Sequence, residues 1–172
     1  MFLEYTKAHP TVVDPNFQTK MAACFDLGAY IPAGEDVKVY CGKTPMSAKP
    51  IHCGERNEEY IVLMPMERAL IRTGLTFKIP DGYSIRLHPR SGMALKYGLT
   101  LANCEGVVDE DYTFETKIIM LNTSNDHIKI YNRDRIAQAE LVKYEQPRFL
   151  EIFETITKES NRNGGFGSTG VN

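Results

Sequence analysis

The chain is written in short apolar or alternating runs separated by turn residues. Tyr60-Ile-Val-Leu-Met64 stops at Pro65, and Arg68-Ala-Leu-Ile-Arg72 closes on Thr73-Gly74. Leu75-Thr-Phe-Lys-Ile79 and Tyr83-Ser-Ile-Arg-Leu87 alternate with period two, divided by Pro80-Asp81-Gly82, where Pro fixes φ and Gly admits positive φ. Further runs cover Thr113–Leu121, His127–Tyr131 and Ala139–Tyr144, and Val107-Val108 reads as a strand ending at a run of acids. Short strands at near-regular spacing predict an all-β sandwich or barrel rather than a parallel sheet with crossover helices. One segment reads as a helix: Ser91-Gly-Met-Ala-Leu-Lys-Tyr97 places helix formers after Ser, a preferred N-cap, and ends at Gly98, a preferred terminator.

Two stretches lack such patterning. Residues 41–59 are polar and rich in turn residues, and read as a solvent-exposed surface excursion remote from any ligand. The end of the chain, Asn161-Arg-Asn-Gly-Gly-Phe-Gly-Ser-Thr-Gly-Val-Asn172, has four glycines and one aromatic. It cannot bury enough apolar surface to hold itself down, so it is expected to be mobile until a ligand orders it.

With 172 residues the chain has the size of one domain. Twenty basic and 22 acidic residues leave a net charge of −2, which offers no general attraction to nucleic acid, although a few local arginines suffice for a small phosphate ligand. No apolar stretch is long enough to span a membrane and the first residues lack a signal-peptide core, so an intracellular, cytoplasmic location is expected. None of the four cysteines, Cys24, Cys41, Cys53 and Cys104, forms a Cys-x-x-Cys pair. Free thiols are expected; the cluster of Cys41, His52 and Cys53 is a weak metal candidate.

The candidate chemistry lies in short segments. Pro89-Arg-Ser-Gly92 combines a guanidinium, a hydroxyl and a flexible backbone at a helix start, a combination suited to an anion or to a plain cap. In Gly106-Val-Val-Asp-Glu-Asp-Tyr112, Asp109 can activate a water or take part in metal binding, and Tyr112 can pack on a sugar or base. Asn103 carries the donor and acceptor needed to read a base edge. Asp134-Arg-Ile-Ala-Gln138 contributes Arg135 and Gln138, and Gly164-Gly-Phe-Gly-Ser-Thr-Gly170 offers backbone N–H groups, two hydroxyls and a stacking ring.

Taken together, these segments resemble the homotrimeric dUTP diphosphatases, or dUTPases. Five motifs follow in family order: Ala23-Cys-Phe-Asp-Leu27, Pro89–Lys96, Asn103–Tyr112, Asp134–Gln138 and Gly164–Gly170. The resemblance implies a small jelly-roll-like β barrel with one short helix over residues 1–158, carrying 41–59 as an insertion and residues 159–172 as a tail that closes over a neighbouring active site. It implies a trimer whose sites are shared between subunits, acting on dUTP with Mg²⁺, releasing dUMP and pyrophosphate and keeping uracil out of DNA; neither nucleic acid nor membrane is an expected partner.

By the same resemblance Asp109 activates the attacking water and Gln138 orders it. Asn103 and the backbone around Gly106 read uracil, and Tyr112 lies under the sugar. Arg90, Ser91, Gly92 and Arg135 meet the phosphates, and Asp26 touches the metal indirectly, through water. From the tail, Phe166 and Gly167 cover the base while Ser168, Thr169 and Arg162 reach the terminal phosphate. The family's tail arginine falls at Asn161 in this chain, and Arg162 stands one residue later. A dCTP deaminase of the same fold needs a Glu in the strand after the third motif, where this chain has Lys117-Ile-Ile-Met-Leu121. A non-enzymatic nucleotide-sensing or partner-binding protein on the scaffold is the other alternative, and the presence of Asp109 argues against it.

Overall fold

The structure is a computed structural model that describes residues 1–155. It contains strands β1 (Glu4–Lys7), β2 (Phe25–Gly28), β3 (Val37–Cys41), β4 (Thr44–Ala48), β5 (Ile51–Cys53), β6 (Glu58–Leu63), β7 (Arg68–Arg72), β8 (Leu75–Lys78) and β9 (Tyr83–Pro89). Helix α1 (Ser91–Tyr97) follows, then β10 (Leu99–Leu101), β11 (Gly106–Val108), β12 (Lys117–Asn122), β13 (Ile128–Tyr131) and β14 (Arg135–Lys143). All strand pairs are antiparallel and form four sheets, ordered β1-β8, β10-β12-β7-β3-β4, β11-β9-β14-β2 and β13-β6-β5.

The all-β fold with one short helix agrees with the sequence pattern, but the described strands do not close into a continuous barrel. Each sheet keeps two open edges, and the sheets instead share one core. Alternation explains that core. In β7, Ala69 and Ile71 point inward between partly exposed Arg68, Leu70 and Arg72; in β12, Ile118, Met120 and Asn122 are buried between more exposed neighbours. Leu27, Ile61, Leu63, Ile85, Leu99 and Ile136 complete a centre from which water is excluded. Burial of each such side chain contributes on the order of 1.5–3 kcal/mol. Among the polar groups inside, Asn122 is satisfied by donating to the Leu63 and Asp126 carbonyls at 2.9 and 2.7 Å.

Two local features position the site. Gly74 has φ +70°, and a Cβ there would lie 2.4 Å from Val12 Cγ2, so only glycine fits the turn between β7 and β8. Helix α1 has the expected bounds, but the N-cap is Arg90, in extended conformation and without a side-chain cap bond; Ser91 is the first helical residue. The Ser91 hydroxyl is therefore not committed to capping. Gly98, in the left-handed region, ends the helix and donates to the Ala94 carbonyl.

Residues 41–59 are not an irregular loop. They extend two sheets outward as an arm. Cys41 and Thr44 face each other across a two-residue Gly42-Lys43 turn, with Gly42 at φ 59°. The β5–β6 hairpin closes over Gly54–Asn57 between Cys53 and Glu58. Among the described residues, the last strand ends at Lys143 and residues 144–155 carry no regular element.

Candidate active site

Asn103, Gly106 and Tyr112 line one cavity of about 400 Å³ together with Leu87, Val108 and Ile118. A tight turn shapes its wall. The Glu105 N–H donates to the Asn103 carbonyl at 2.6 Å across Cys104, whose φ is 60°. A non-glycine residue in that region is strained, and such strain collects at functional turns. Gly106 is required by crowding: a Cβ there would stand 2.9 Å from Leu87 Cδ1 and 3.4 Å from Asn103 Nδ2. β11 is also a sheet edge, so one side of its backbone has no strand partner and can pair with a planar ligand edge. Tyr112 closes the wall; its N–H donates to the Asp109 carbonyl and its hydroxyl to the Glu115 carbonyl, both at 3.1 Å.

The base of this loop is tied to the core. Glu115 accepts from Arg72 Nε at 2.9–3.0 Å and from the Gly74 N–H at 2.8 Å. Arg72 also pairs with Glu35, and these carboxylates hold its guanidinium pKa above the ordinary value although burial opposes the charge. Asp109 is exposed and does not line the cavity of Asn103 and Tyr112. It faces an adjoining recess with Arg86, Glu110, Asp111 and Tyr144. Glu110 beside Tyr144 pushes that phenol up to about 12.

A second group converges on Asp26, buried in β2. Arg90 Nε lies 3.3 Å from one carboxylate oxygen and Arg135 Nη1 2.9 Å from the other, while Arg90 donates to the Arg135 carbonyl at 2.7 Å. Gln138 donates to the Pro89 carbonyl at 3.2 Å. Strand register produces this meeting, since Asp26 faces Gln138 and Pro89 faces Ala137. Asp26 thus orients two guanidiniums, one on each carboxylate oxygen.

Arg90 and Arg135 line a further cavity of about 380 Å³ with Tyr97, Lys129, Tyr131 and Arg56. Arg56 brings residues 41–59, expected to be a remote surface excursion, to this cavity. It lies in the β5–β6 turn of the arm, its guanidinium 4.0 Å from the centre of the Tyr131 ring and 3.8 Å from Asp134. Burial pushes the Asp134 carboxyl up, against the opposing pull of the Tyr131 N–H and Arg56. Arg56 is the one arginine of residues 41–59, which is the only sequence signal it gives. It reaches the cavity because Tyr60 pairs with Tyr131 in the β6–β13 ladder. Arg162, Phe166, Gly167, Ser168 and Thr169 lie outside the described residues.

The weak metal candidate does not assemble as a thiol cluster: His52 Nδ1 sits 2.9 Å from Glu59, and all four cysteines are free. Burial, followed by Glu140 and Asp26, raises the Cys24 thiol.

Comparison with known proteins gives this geometry a context. The dUTPase family profile matches residues 56–170. The deoxyuridine 5'-triphosphate nucleotidohydrolase of Finegoldia magna is 47% identical over 113 residues, covering 66% of this chain and 78% of the relative. Its counterpart in Nautilia profundicola is 35% identical over 170 residues, covering 99% of both. The dUTPase of Staphylococcus bacteriophage 80alpha with dUPNHPP superposes with a TM-score of 0.74 at 21% identity, covering 99% of each chain. An Asp-to-Asn mutant of the dUTPase from phage phi11 of S. aureus, a structure that shows the coordination of a structural Mg(II) ion, gives a TM-score of 0.68 at 19% identity over 91% of this chain and all of the other. These two likenesses concern the fold.

Proposed function

The chain belongs to the dUTPase family, and on that premise we propose that it converts dUTP and water into dUMP and pyrophosphate with the residues described above. The observation that carries the assignment is the placing of Asn103, Gly106 and Tyr112 on one recess and of Arg90 and Arg135 on another. The first suits a uracil and its sugar, bounded by a strand edge and an aromatic ring. The second suits a triphosphate, whose transfer needs chiefly positioning and neutralised charge.

Asp109 accepts a proton from water as the water oxygen forms a bond to the α-phosphorus. The bond from that phosphorus to the bridging oxygen breaks, and pyrophosphate leaves with its electron pair. Gln138 orients the water, and Ser91 and Gly92 present hydroxyl and backbone to the phosphates. Ion pairing to Asp26 keeps Arg90 and Arg135 directed. Mg²⁺, when bound, neutralises phosphate charge, and it takes much of its ligation from phosphates and water. Asp26 fits that arrangement as a group acting through water.

The two recesses have no lining residue in common, and beyond β14 the chain carries Phe149, Leu150 and Phe153 at 96%, 85% and 94% exposure. Both facts support assembly into a homotrimer in which one subunit's base recess meets another's phosphate recess and those apolar side chains are covered. In the same reading Phe166 and Gly167 close over the base, and Ser168, Thr169 and Arg162 reach the terminal phosphate. The free thiols fit a reducing intracellular compartment.

Purified protein with Mg²⁺ and a nucleotide panel tests the proposal. Pyrophosphate should appear from dUTP, and Asp109→Asn should lose on the order of 10²–10⁴-fold in rate. Ammonia from dCTP, or wild-type turnover by the variant, would overturn the assignment.

A further inference from the structure

Three neighbouring strands bring a thiol, an imidazole and a carboxylate together at a place the reaction above does not use. Cys24 immediately precedes β2, Glu140 lies on β14 and His88 on β9, in the sheet order β9-β14-β2. Phe25 pairs with Ala139 and Gln138 with His88, so the three side chains gather on one part of the sheet. Each is half-buried, and their donor atoms all lie within 4.8 Å of one another. His88 Nε2 stands 3.7 Å from Glu140 Oε2; on the other side of the ring, Nδ1 stands 3.8 Å from Glu105 Oε1.

We propose that Cys24, His88 and Glu140 bind one zinc-class divalent cation through Sγ, Nε2 and a carboxylate oxygen, with water in the fourth position. Tetrahedral zinc holds S, N and O ligands at about 2.0–2.3 Å, which requires ligand–ligand separations of about 3.3–3.6 Å. The His88–Glu140 separation is already close to that range. The most distant donors, within 4.8 Å, must close by at most about 1.5 Å, within reach of side-chain rotation. A thiolate and a carboxylate cancel the charge of a dication, leaving the imidazole neutral. Glu105, 3.8 Å from Nδ1, is placed to close onto it as the carboxylate that commonly holds a metal-bound imidazole in the right tautomer.

The donor set also separates this site from Mg²⁺ chemistry. Mg²⁺ selects oxygen ligands in an octahedron, whereas thiolate and imidazole select zinc and its neighbours. An ion here ties together the strands that carry Asp26, Pro89 and Gln138. Asp26 stands two residues beyond Cys24, Pro89 adjoins His88, and Gln138 stands two residues before Glu140. Occupancy is therefore expected to stiffen the support of the phosphate recess.

The test uses the full-length chain, stripped of metal with a chelator and titrated with Co²⁺. One equivalent per chain should produce the thiolate-to-cobalt charge-transfer band and the strong d–d absorption of a tetrahedral centre. Zn²⁺ should abolish both, and excess Mg²⁺ should change neither. Cys24→Ser should remove the charge-transfer band. His88→Gln and Glu140→Gln should each weaken binding by at least about tenfold, while the combined Cys41→Ser, Cys53→Ser, Cys104→Ser variant keeps the spectrum. Circular dichroism confirms folding, and the near-isosteric Glu140→Gln decides the matter if Cys24→Ser does not fold. A folded wild-type chain with no band, or a band that survives Cys24→Ser and disappears with the other three cysteines, overturns the site. None of these readings depends on dUTP turnover.

Discussion

Arg56 tests whether the arm takes part in substrate binding. Replacing it with Ala removes one of four cationic side chains, Arg56, Arg90, Lys129 and Arg135, that line the phosphate-side cavity. It also leaves Asp134 without the guanidinium 3.8 Å away, so that carboxylate in the same cavity keeps only Arg90 and the Tyr131 N–H to offset it. One charge about 5 Å from a phosphate is worth about 0.8 kcal/mol in bulk water and about 3 kcal/mol at the effective dielectric of a protein surface. Because the Arg56 side chain is 53% exposed, the lower part of that range applies, about 1–1.5 kcal/mol. Arg56→Ala is therefore expected to lower kcat/KM for dUTP about 5- to 10-fold, chiefly through KM. The loss should shrink as salt is raised. Arg56→Lys keeps the charge but loses the planar contact with Tyr131, and should fall between the two. Arg56→Ala within twofold of wild type at low salt would refute the reasoning and return the arm to plain surface.

Three further perturbations probe the other parts. Gly106→Ala places a methyl 2.9 Å from the Leu87 side chain and against Asn103, so overpacking of about 1–3 kcal/mol should lower Tm by roughly 2–10 °C, with a raised KM for dUTP; unchanged values of both would remove crowding as the reason for glycine. Arg162→Ala should reduce kcat/KM at least about tenfold while Asn161→Ala changes little, and the reverse ranking in steady-state kinetics would move the terminal-phosphate contact to another residue. The Tyr144 phenol should titrate at about 12 rather than near its ordinary 10, and Glu110→Gln should bring it down. Because the Tyr144 value is raised and Tyr144 holds the Glu110 carboxyl below its ordinary range, any stability from this pair is fully present between the ordinary carboxylate range and pH 10; it is lost as pH rises through about 12 and again as pH falls through the lowered Glu110 value, as tyrosinate absorbance alongside a stability profile will show.

The parts of the molecule that could be read from sequence are those where one strand face is buried and the other wet. β7 has the same bounds in sequence and structure, and β8 and β9 differ from their runs by one or two residues, because alternation and the Pro80-Asp81-Gly82 turn report directly on burial. Contiguous motifs were equally legible: Asn103, Gly106 and Tyr112 share a recess because one loop carries all three. The arm was not legible. In β4 four of five residues are exposed, so there is no buried face to impose a binary pattern. Pro45 fits because β4 is a sheet edge, where a missing N–H costs little. What holds β4 is the backbone ladder to β3, and composition does not record a ladder.

Convergence across strands was hidden for a related reason. Arg56 meets Tyr131 and Asp134 through the β6–β13 register, and Cys24 meets Glu140 and His88 through the pairing of β14 with β2 and β9. A shift of one residue in either register would turn the side chains of the shifted strand to the opposite face and separate them from these partners. Register here follows from the burial of Leu27, Ile61, Leu63, Ile130, Ile136 and Ala137, apolar residues that carry none of the site's chemistry. The apolar core therefore acts on chemistry at a distance: it selects which polar residues of separate strands stand together. A core substitution that let β14 slip against β9 would separate Gln138 from the Pro89 carbonyl and Glu140 from His88 in the same event. Loss of dUTP turnover and loss of cobalt binding should then occur together in such a variant, whereas Asp109→Asn should lose only the first.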